Sequence, residues 1–311
     1  MISISSDTCT GCGACERVCP RHIPEVVSTQ SDRSAAQVSP LRADLCMRCG
    51  HCAAVCPVRA ITVHSLAADE FKELEPNELT ESQVLRLLRQ RRSTRRYEDR
   101  SVPRDVLDQL AIAAGASPTG TGSMSNGVIV ADRRELIHPL MNQVYAAYTR
   151  LGRVLSIPIL RQMIALKVGR RTLCTLVRFV MPGVRWYIRW WAEGVGDEIS
   201  RDCPALMLFY GPGDEPMVEE NCTLAAFHAI LMAETLGVGT CFNHLIPPVC
   251  NRDRKLRAML GLATDERVFA CVTMGYPAIQ FRRVIPRRCA DVRYLEAEDV
   301  AVGGVFQKAG G

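Results

Sequence analysis

The sequence lacks long hydrophobic segments. No uninterrupted apolar run reaches the ~18 residues that a membrane-spanning helix needs, and the start, MISISSDTCT, has neither the basic patch nor the apolar run of a secretory signal. We therefore expect a cytoplasmic protein. A hydrophobic content of 48% with 23% charged residues is that of a globular protein, and a length of 311 residues suggests two domains.

The sequence also lacks a dinucleotide-binding fingerprint. The glycine-rich stretch GTGSMSNG, residues 120–127, has its third glycine in the wrong place for a Rossmann motif. It also lies after a predicted helix and before a predicted strand, which is the reverse of the order that the motif requires. Without a Rossmann half for NAD(P)H, the chain is expected to accept electrons from a carrier protein.

Cysteine, by contrast, is abundant, and eight of the 15 cysteines form two matching motifs. CTGCGACERVCP (residues 9–20) and CMRCGHCAAVCP (residues 46–57) both follow the spacing C-x2-C-x2-C-x3-C-P. In a reducing compartment such thiols are metal ligands more often than disulfides. A structural zinc site needs four ligands and would leave half of these thiols unused.

The doubled motif is typical of bacterial ferredoxins, in which three cysteines of one run and the fourth cysteine of the other hold each [4Fe-4S] cluster. Residues 1–64 therefore resemble a two-cluster ferredoxin domain, which stores and passes single electrons. The predicted ligands are Cys9, Cys12, Cys15 and Cys56 for the first cluster, and Cys46, Cys49, Cys52 and Cys19 for the second.

After the cluster motifs, the sequence predicts a linker and then a second domain. The acidic stretch SLAADEFKELEPNE predicts a linker over residues 65–79. Thr80 and Gln83 then form a capping-box pattern, and apolar residues follow at helical spacing, so a helix is expected to begin there. The second domain is predicted over residues 80–297, and residues 298–311 are a C-terminal tail.

Five arginines lie among residues 91–100, in a run that begins with RRSTRRYEDR. A charge run by itself favours a solvated basic face over an anion site. However, the run opens a stretch, RRSTRRYEDRSVPRDVLDQLAIAAGASPTG, that resembles the start of the FMN-dependent nitroreductase family. LMAETLGVGTCFN (residues 231–243) resembles that family's helix and glycine turn beneath the flavin, and MGYPAIQFRRVIPRR (residues 274–288) resembles its closing strand and phosphate-binding tail.

This resemblance implies an α+β flavin domain and a homodimer with FMN at the subunit interface. Guanidinium groups suit a phosphate because their donors match its oxygens in pairs. The positions that match the family's FMN contacts are Arg91, Arg92, Ser93 and Arg95 for the phosphate and ribityl chain, Pro118, Thr119 and Gly120 for the ring, Gly237, Gly239 and Thr240 for close backbone approach, and Arg287 or Arg288 for the phosphate.

The substrate side of the predicted flavin site departs from the family. An asparagine commonly follows the proline turn there, often with a glutamine two residues later, whereas this chain has Gly122 and Met124. His244 follows the second glycine turn and is the one candidate for a catalytic residue near the flavin, with a structural histidine as the alternative. The seven cysteines outside the two motifs have no ligand spacing, and most of them are expected to be buried packing residues.

The middle of the chain has basic residues without acidic ones. Residues 142–192 contain nine Lys or Arg, no Asp or Glu, and all three tryptophans. We predict a helical insertion over residues 142–197. It is interpreted in three ways: as a lid that shapes a substrate pocket, as helices that pack against the dimer partner, or, less favoured, as an amphipathic surface on an anionic membrane. Nucleic-acid binding is not expected, because the arginines alternate with aliphatic runs and match no recognition motif.

The parts together predict an oxidoreductase. An external ferredoxin or flavodoxin would reduce the two clusters, and FMN would then reduce an electron-poor small molecule, such as a nitro compound, a quinone or an activated C=C bond. Two alternatives use the same parts: a dehydrogenase that exports electrons through the clusters, and a non-enzymatic electron-transfer or redox-sensing protein.

Overall fold

A computed structural model describes residues 1–28, 34–120, 125–287 and 291–294. The chain forms two compact units, Met1–Gln280 and Phe281–Gly311. The described residues of the second unit are exposed and form neither helix nor strand. Among the described residues, no helix is both long and apolar enough to span a bilayer.

The N-terminal part of the first unit consists of two hairpin-like strand pairs and two short helices. Its elements are β1 (Ile2–Ile4), α1 (Ala14–Val18), β2 (Pro24–Ser28), β3 (Ser34–Val38), α2 (His51–Ala54) and β4 (Ile61–Val63). Strand β1 pairs antiparallel with β4, and β2 pairs antiparallel with β3. Each cysteine motif contributes one short helix, which begins after the second cysteine and contains the third. The small core of this part includes Ile2, Ile23 and Val63.

The predicted linker is partly folded onto this small core. Leu66 and Phe71 pack against it, and a 3-10 turn over Ala68–Glu70 lies between them. Arg59 pairs with Glu73 at 2.5 Å. Leu74 is fully exposed. The part of the predicted linker that packs on the small core therefore ends before Leu74.

The rest of the first unit alternates helices and strands. Its elements are α3 (Glu81–Gln90), α4 (Arg104–Gly115), β5 (Gly127–Ala131), α5 (Arg134–Ser156), α6 (Pro158–Val168), α7 (Arg170–Thr175), α8 (Met181–Ala192), β6 (Ala205–Pro212), α9 (Val218–Thr235), β7 (Gly239–Phe242), α10 (Pro247–Cys250), α11 (Arg254–Met259) and β8 (Glu266–Gly275). A π-helical turn over Leu176–Val180 joins α7 to α8.

The start of α3 is the capping box that the sequence predicts. The Thr80 hydroxyl accepts a hydrogen bond from the Gln83 N–H at 3.3 Å, and the Gln83 side chain accepts one from the Thr80 N–H at 2.8 Å. The apolar side chains Val84, Leu85 and Leu88 of this helix are exposed in the protomer.

A four-stranded antiparallel sheet in the order β5-β6-β8-β7 forms the centre of this part. Because successive strand residues point to opposite faces, β6 contributes to two separate cores. Leu206 and Leu208 pack with α5 and α8 on one face, while Met207 and Phe209 pack with α4 and α9 on the other. The α+β class predicted from the sequence is confirmed.

The third family-like stretch, residues 274–288, begins at the end of a strand. The resemblance matches it to the family's closing strand and phosphate-binding tail, and the strand, β8, ends at Gly275. From this stretch only Met274 and Gly275 are in the sheet. The backbone then turns to pair with the basic segment, through a bridge between Tyr97 and Pro277.

Candidate functional site

Two cavities in the N-terminal part are each lined by four cysteines. The lining of the first includes Cys9, Cys12, Cys15 and Cys56. The lining of the second includes Cys19, Cys46, Cys49 and Cys52. The last cysteine of each motif thus faces the cavity of the other motif. The reason is local: the short helices α1 and α2 carry the chain away from the first three cysteines before Cys19 and Cys56 are reached.

Backbone amides point at several of these thiols. Gly11 and Ala36 donate to Cys9 Sγ at 3.4 and 3.3 Å, Ile23 donates to Cys19 Sγ at 3.4 Å, and Ala60 donates to Cys56 Sγ at 3.3 Å. Such N–H···S bonds stabilise thiolate ligands and tune the potential of a cluster. The hydrogen bond from the Ala14 backbone lowers the pKa of Cys12, while burial raises the pKa of Cys52 to about 11.

Gly11 lets the first motif approach its neighbouring strand closely. Its φ is +70°, and a Cβ at this position would come within 2.8 Å of the Ser34 backbone carbonyl carbon. Only glycine combines this conformation with this contact. The fold around the cavity therefore requires glycine at position 11, between the first two cysteines of the motif.

The cavities suit polynuclear clusters better than single ions. A zinc ion needs four ligands within about 2.3 Å of one point. Within the described ranges, no group of three or more His, Cys, Asp or Glu side chains is arranged to hold one metal ion. In a [4Fe-4S] cluster, each cysteine binds a different iron, so four thiols spread around one cavity fit that group.

The structure brings together two of the four predicted flavin-binding segments. Ser93 forms a parallel bridge with Thr240, and the Thr94 N–H donates to the Thr240 carbonyl at 2.8 Å. Gly239 is buried against Thr94, whose Cβ would lie 2.7 Å from an added Gly239 Cβ. Residues 91–95 and 237–240 therefore form one continuous surface.

Tyr97 and the end of β8 hold this surface from the other side. The Tyr97 hydroxyl donates to the Thr94 carbonyl at 2.9 Å and also contacts Thr273. Further along, the Glu98 N–H donates to the Tyr276 carbonyl at 2.8 Å. These contacts fix the path of the arginine-rich segment along the edge of the sheet.

The arginines of this segment have different surroundings. Arg95 is exposed and Arg91 is half-buried. Arg92 is buried and donates through Nη1 to the carbonyls of Arg89 and Arg91 at 2.6 and 2.7 Å. Its Nε has no hydrogen-bond partner among the described residues. This arginine-rich segment therefore contains a buried N–H donor that no described residue satisfies. Burial raises the pKa of the nearby Glu234 carboxyl, and the charges of Arg91 and Arg92 act in the opposite direction.

The third predicted segment, the turn at residues 118–120, lies at the other end of α9. The Gly120 N–H donates to Asn221 Oδ1 at 2.7 Å, near the start of the helix. Asn221 is completely buried, and its Nδ2, like the Ser117 hydroxyl, has no partner among the described residues. Sequence reasoning missed Asn221, because a single polar residue in an apolar helix carries no motif.

The separation between these places is set by the helix. With a rise of 1.5 Å per residue, Asn221 and Thr235 are about 21 Å apart along α9. The turn at 118–120 therefore lies far from the turn at 237–240 within one protomer, although the family resemblance assigns the first to the ring of a flavin and the second to close backbone approach to that flavin.

The remaining predicted site residues are the candidate catalytic His244 and the phosphate-binding candidates Arg287 and Arg288. His244 is exposed, and its ring stacks on Phe242 with centroids 5.8 Å apart. Its loop is held by Asn243, which donates to the Ile199 carbonyl at 2.5 Å and accepts from the Leu245 N–H at 2.9 Å. Arg287 is exposed and belongs to the second unit, and Arg288 lies outside the described residues.

The cysteines outside the motifs are mostly packing residues, as predicted. Cys203, Cys222, Cys250 and Cys271 are buried, and burial raises the pKa of Cys222 and of Cys250 to about 12. Such thiols are poor nucleophiles at neutral pH. Cys174 is exposed.

Comparisons with known proteins agree with this architecture. The model of the nitroreductase family matches residues 88–276, and that of a 4Fe-4S dicluster domain matches residues 8–62. A nitroreductase with bound FMN from Bacteroides fragilis is 18% identical, with a TM-score of 0.53, over 71% of this chain and 100% of that chain. A nitroreductase with bound FMN from Desulfitobacterium hafniense is 16% identical, with a TM-score of 0.48, over 68% of this chain and 97% of that chain. None of the curated proteins is significantly similar to this chain.

The fold and the two cysteine-lined cavities define an iron–sulfur electron-transfer domain fused to an α+β oxidoreductase domain. The chain belongs to the nitroreductase family, whose model covers more than half of its length. It is an FMN-dependent oxidoreductase with two [4Fe-4S] clusters, which confirms the family and the cofactors predicted from the sequence.

Proposed function

We propose that this protein takes single electrons from an external carrier and uses them in pairs to reduce an electron-poor organic substrate, such as a nitro compound, a quinone or an activated C=C bond. When bound, the clusters supply one-electron transfer and FMN supplies hydride transfer. The carrier is a ferredoxin or flavodoxin, and the protein acts in the cytoplasm.

One observation carries this proposal. The cysteines of the two motifs surround two separate cavities, in the crossed arrangement of a two-cluster ferredoxin. A domain of this kind has no substrate chemistry of its own. Its fusion to a nitroreductase domain makes it the electron entry for that domain.

The ligands we assign are those that line each cavity. Cys9, Cys12, Cys15 and Cys56 would hold one cluster, and Cys19, Cys46, Cys49 and Cys52 the other. The amides of Gly11, Ala36, Ile23 and Ala60 would stabilise thiolate charge through their bonds to sulfur.

The FMN phosphate is assigned to the arginine-rich segment. Arg91, Ser93 and Arg95 alternate along an extended backbone that Tyr97 and Thr240 hold in place. Guanidinium groups and a hydroxyl together match phosphate oxygens. The unpartnered Nε of Arg92 adds a buried donor beneath them, and Gly239 and Thr240 give the ring close access to backbone.

We further propose that each flavin site needs two chains. Within one protomer the two turns lie at opposite ends of α9, along which Asn221 and Thr235 are about 21 Å apart, more than the width of a flavin ring. In a homodimer, the turn of one chain can complete the site of the other. The exposed apolar side chains Val84, Leu85 and Leu88 of α3 offer surface for such an interface.

Cofactor analysis of protein purified anaerobically tests the proposal. We expect about eight irons and about one FMN per chain. Stepwise reduction, followed by visible and EPR spectroscopy, should show electrons added at the clusters reaching the flavin, and a substrate should reoxidise it. Bound zinc in place of iron, or a chain without flavin, would contradict the proposal.

Mixed dimers test the two-chain site separately. Arg95→Ala and Gly120→Val are each expected to lose flavin as homodimers. A heterodimer of the two variants contains one site with both substitutions and one with neither, so it should regain about half of the flavin that the parent dimer binds. If all contacts came from one chain, the mixed dimer would bind as little flavin as either variant.

A further inference from the structure

The helical insertion presents a row of large apolar side chains to solvent. In α6, Ile159, Met163 and Leu166 are 72%, 61% and 86% exposed. Residues at spacings of four and three lie on one face of a helix, so these side chains form a single stripe. Every residue of α6 and α7 is at least partly exposed, and the stripe is therefore on the outer side of the insertion.

Two large aromatic side chains are also exposed in the elements that follow α7. Phe179, in the π-helical turn, is 77% exposed, and Trp186, in α8, is 57% exposed. We call these five exposed apolar side chains of the insertion, Ile159, Met163, Leu166, Phe179 and Trp186, the insertion face. Trp191 lies on the inner side of α8, where its ring stacks on Tyr145 with centroids 4.5 Å apart. The inner side thus packs on the protein while the outer side is open.

The charges around the insertion face have one sign. Arg161, Lys167, Arg170, Arg171 and Arg178 are exposed in α6, α7 and the π-helical turn. Within the described part of the chain, these five side chains make no ion pair with a carboxylate, in contrast to Arg150 with Asp253 and Arg189 with Glu193. The stretch 142–192 contains no acidic residue that could neutralise them.

A second copy of the same face is a poor partner for this surface. In a two-fold symmetric contact centred on this face, the face would meet itself, so unpaired arginines would be brought opposite unpaired arginines without a compensating carboxylate. An anionic bilayer satisfies both features at once, since it offers negative headgroups to the basic side chains and an apolar interior to the stripe. Tryptophan side chains such as Trp186 also prefer the headgroup level.

We propose that the insertion face docks the protein, without spanning, onto a bilayer surface that contains anionic phospholipids. Ile159, Met163, Leu166 and Phe179 enter the acyl boundary, and the surrounding Arg and Lys side chains pair with phosphate groups. This inference is independent of the proposed reaction, because it concerns a surface and not the cysteine or arginine site.

Vesicle binding by the full-length, cofactor-loaded protein tests the proposal. We expect co-sedimentation with vesicles of phosphatidylcholine and phosphatidylserine, but little with phosphatidylcholine alone. Binding should weaken at high ionic strength, because headgroup attraction is screened. Since the three tryptophans all lie in α8, docking should also shift the intrinsic fluorescence to shorter wavelength.

Two sets of variants separate the apolar and the electrostatic contributions. The triple variant Ile159→Ser, Met163→Ser, Leu166→Ser should bind these vesicles at least about ten-fold more weakly. The double variant Arg161→Gln, Lys167→Gln should lose about five-fold per charge. The matched controls are Leu74→Ser, at a fully exposed leucine elsewhere, and Arg254→Gln with Lys255→Gln, and both controls should bind like the parent.

Three results would overturn the proposal. The first is equal binding to neutral and anionic vesicles, and the second is no binding to either. The third is that the parent protein does not bind vesicles but self-associates in a concentration-dependent way, and that the triple serine variant does not self-associate. This result would assign the insertion face to contact with a second copy of the chain. Cofactor content and flavin reduction, measured on the same samples, are expected to be unchanged in all variants.

Discussion

The backbone N–H of Thr94 donates a hydrogen bond to the carbonyl of Thr240 at 2.8 Å. This bond joins the arginine-rich segment that follows α3 to the glycine turn that follows α9. Both segments resemble flavin-binding parts of the nitroreductase family, and the contact makes them one surface at the edge of the sheet. The close approach depends on the missing side chain of Gly239.

Replacement of Gly239 by alanine should therefore disrupt the candidate FMN site. The new Cβ would lie 2.7 Å from Thr94 Cβ, so the two segments must move apart, at a cost of about 1–3 kcal/mol. We expect a lower urea midpoint and weaker FMN binding. Gly115→Ala is the control, because an added Cβ there meets nothing within 4 Å; equal FMN affinity in both variants would contradict the prediction.

Replacement of Cys56 by serine tests the crossed cluster arrangement. Cys56 belongs to the second motif but lines the cavity of Cys9, Cys12 and Cys15. We expect iron to fall from about eight per chain towards about four, and the EPR signal of the other cluster to remain. Cys174→Ser, at an exposed cysteine outside the motifs, should keep all the iron. Loss of the cluster at Cys46, Cys49 and Cys52 alone would show that the assignment is reversed.

Replacement of Glu198 by glutamine should reduce stability in a pH-dependent way. Burial raises the pKa of the Glu198 carboxyl, but the hydrogen bonds and charges of Arg96 and Arg201 outweigh it, so the pKa of the folded state is below its usual value. A lowered pKa stabilises the fold above the unfolded-state pKa of about 4.3. This stabilisation is lost as the pH falls through the folded-state pKa.

At pH 7 we expect Glu198→Gln to lower the free energy of unfolding by about 1–2 kcal/mol, less than for a fully buried pair because Arg96 is half-exposed. Urea denaturation followed by tryptophan fluorescence at several pH values measures this, and the difference should shrink towards pH ~4. Glu193→Gln, which removes the exposed partner of Arg189, should cost less than about 0.5 kcal/mol. A difference that grows in acid would refute the argument.

Replacement of Asn221 by alanine should loosen the turn at 118–120. The Gly120 N–H would lose its acceptor, which lies 2.7 Å away, at a cost of about 1–2 kcal/mol. In a two-chain site this variant should weaken FMN binding in homodimers and be complemented by Arg95→Ala in mixed dimers. Thr223→Ala, at an exposed position of the same helix, is the control; unchanged FMN affinity of Asn221→Ala would show that the turn is not part of the site.

Much of the candidate site could be predicted because its signals are local. The cysteine spacing determines which thiols share a cavity, since short helices separate the last cysteine of each run from the others. Thr80 and Gln83 define the start of α3, because the side chain of each accepts a hydrogen bond from the backbone N–H of the other. The apolar residues of β6 alternate between two cores because the period of a strand is two.

Other features depend on contacts between distant parts of the chain and needed the tertiary structure. Asn221 supports a turn that is remote in sequence. Leu66 and Phe71 lie in an acidic stretch that reads as a linker, yet they pack on the cluster domain because its small core leaves an apolar gap. The closing strand ends at Gly275, where pairing with β6 and β7 ends.

The sequence by itself determined that this protein binds two [4Fe-4S] clusters in its N-terminal part and FMN in a nitroreductase-type domain. Both could be predicted because the ligands and backbone motifs occur in short runs of residues. Only the tertiary structure decided that the 118–120 and 237–240 turns lie at opposite ends of α9, and which side of the basic insertion is open. Both depend on how helices pack, and a helical pattern specifies an apolar face without specifying what covers it.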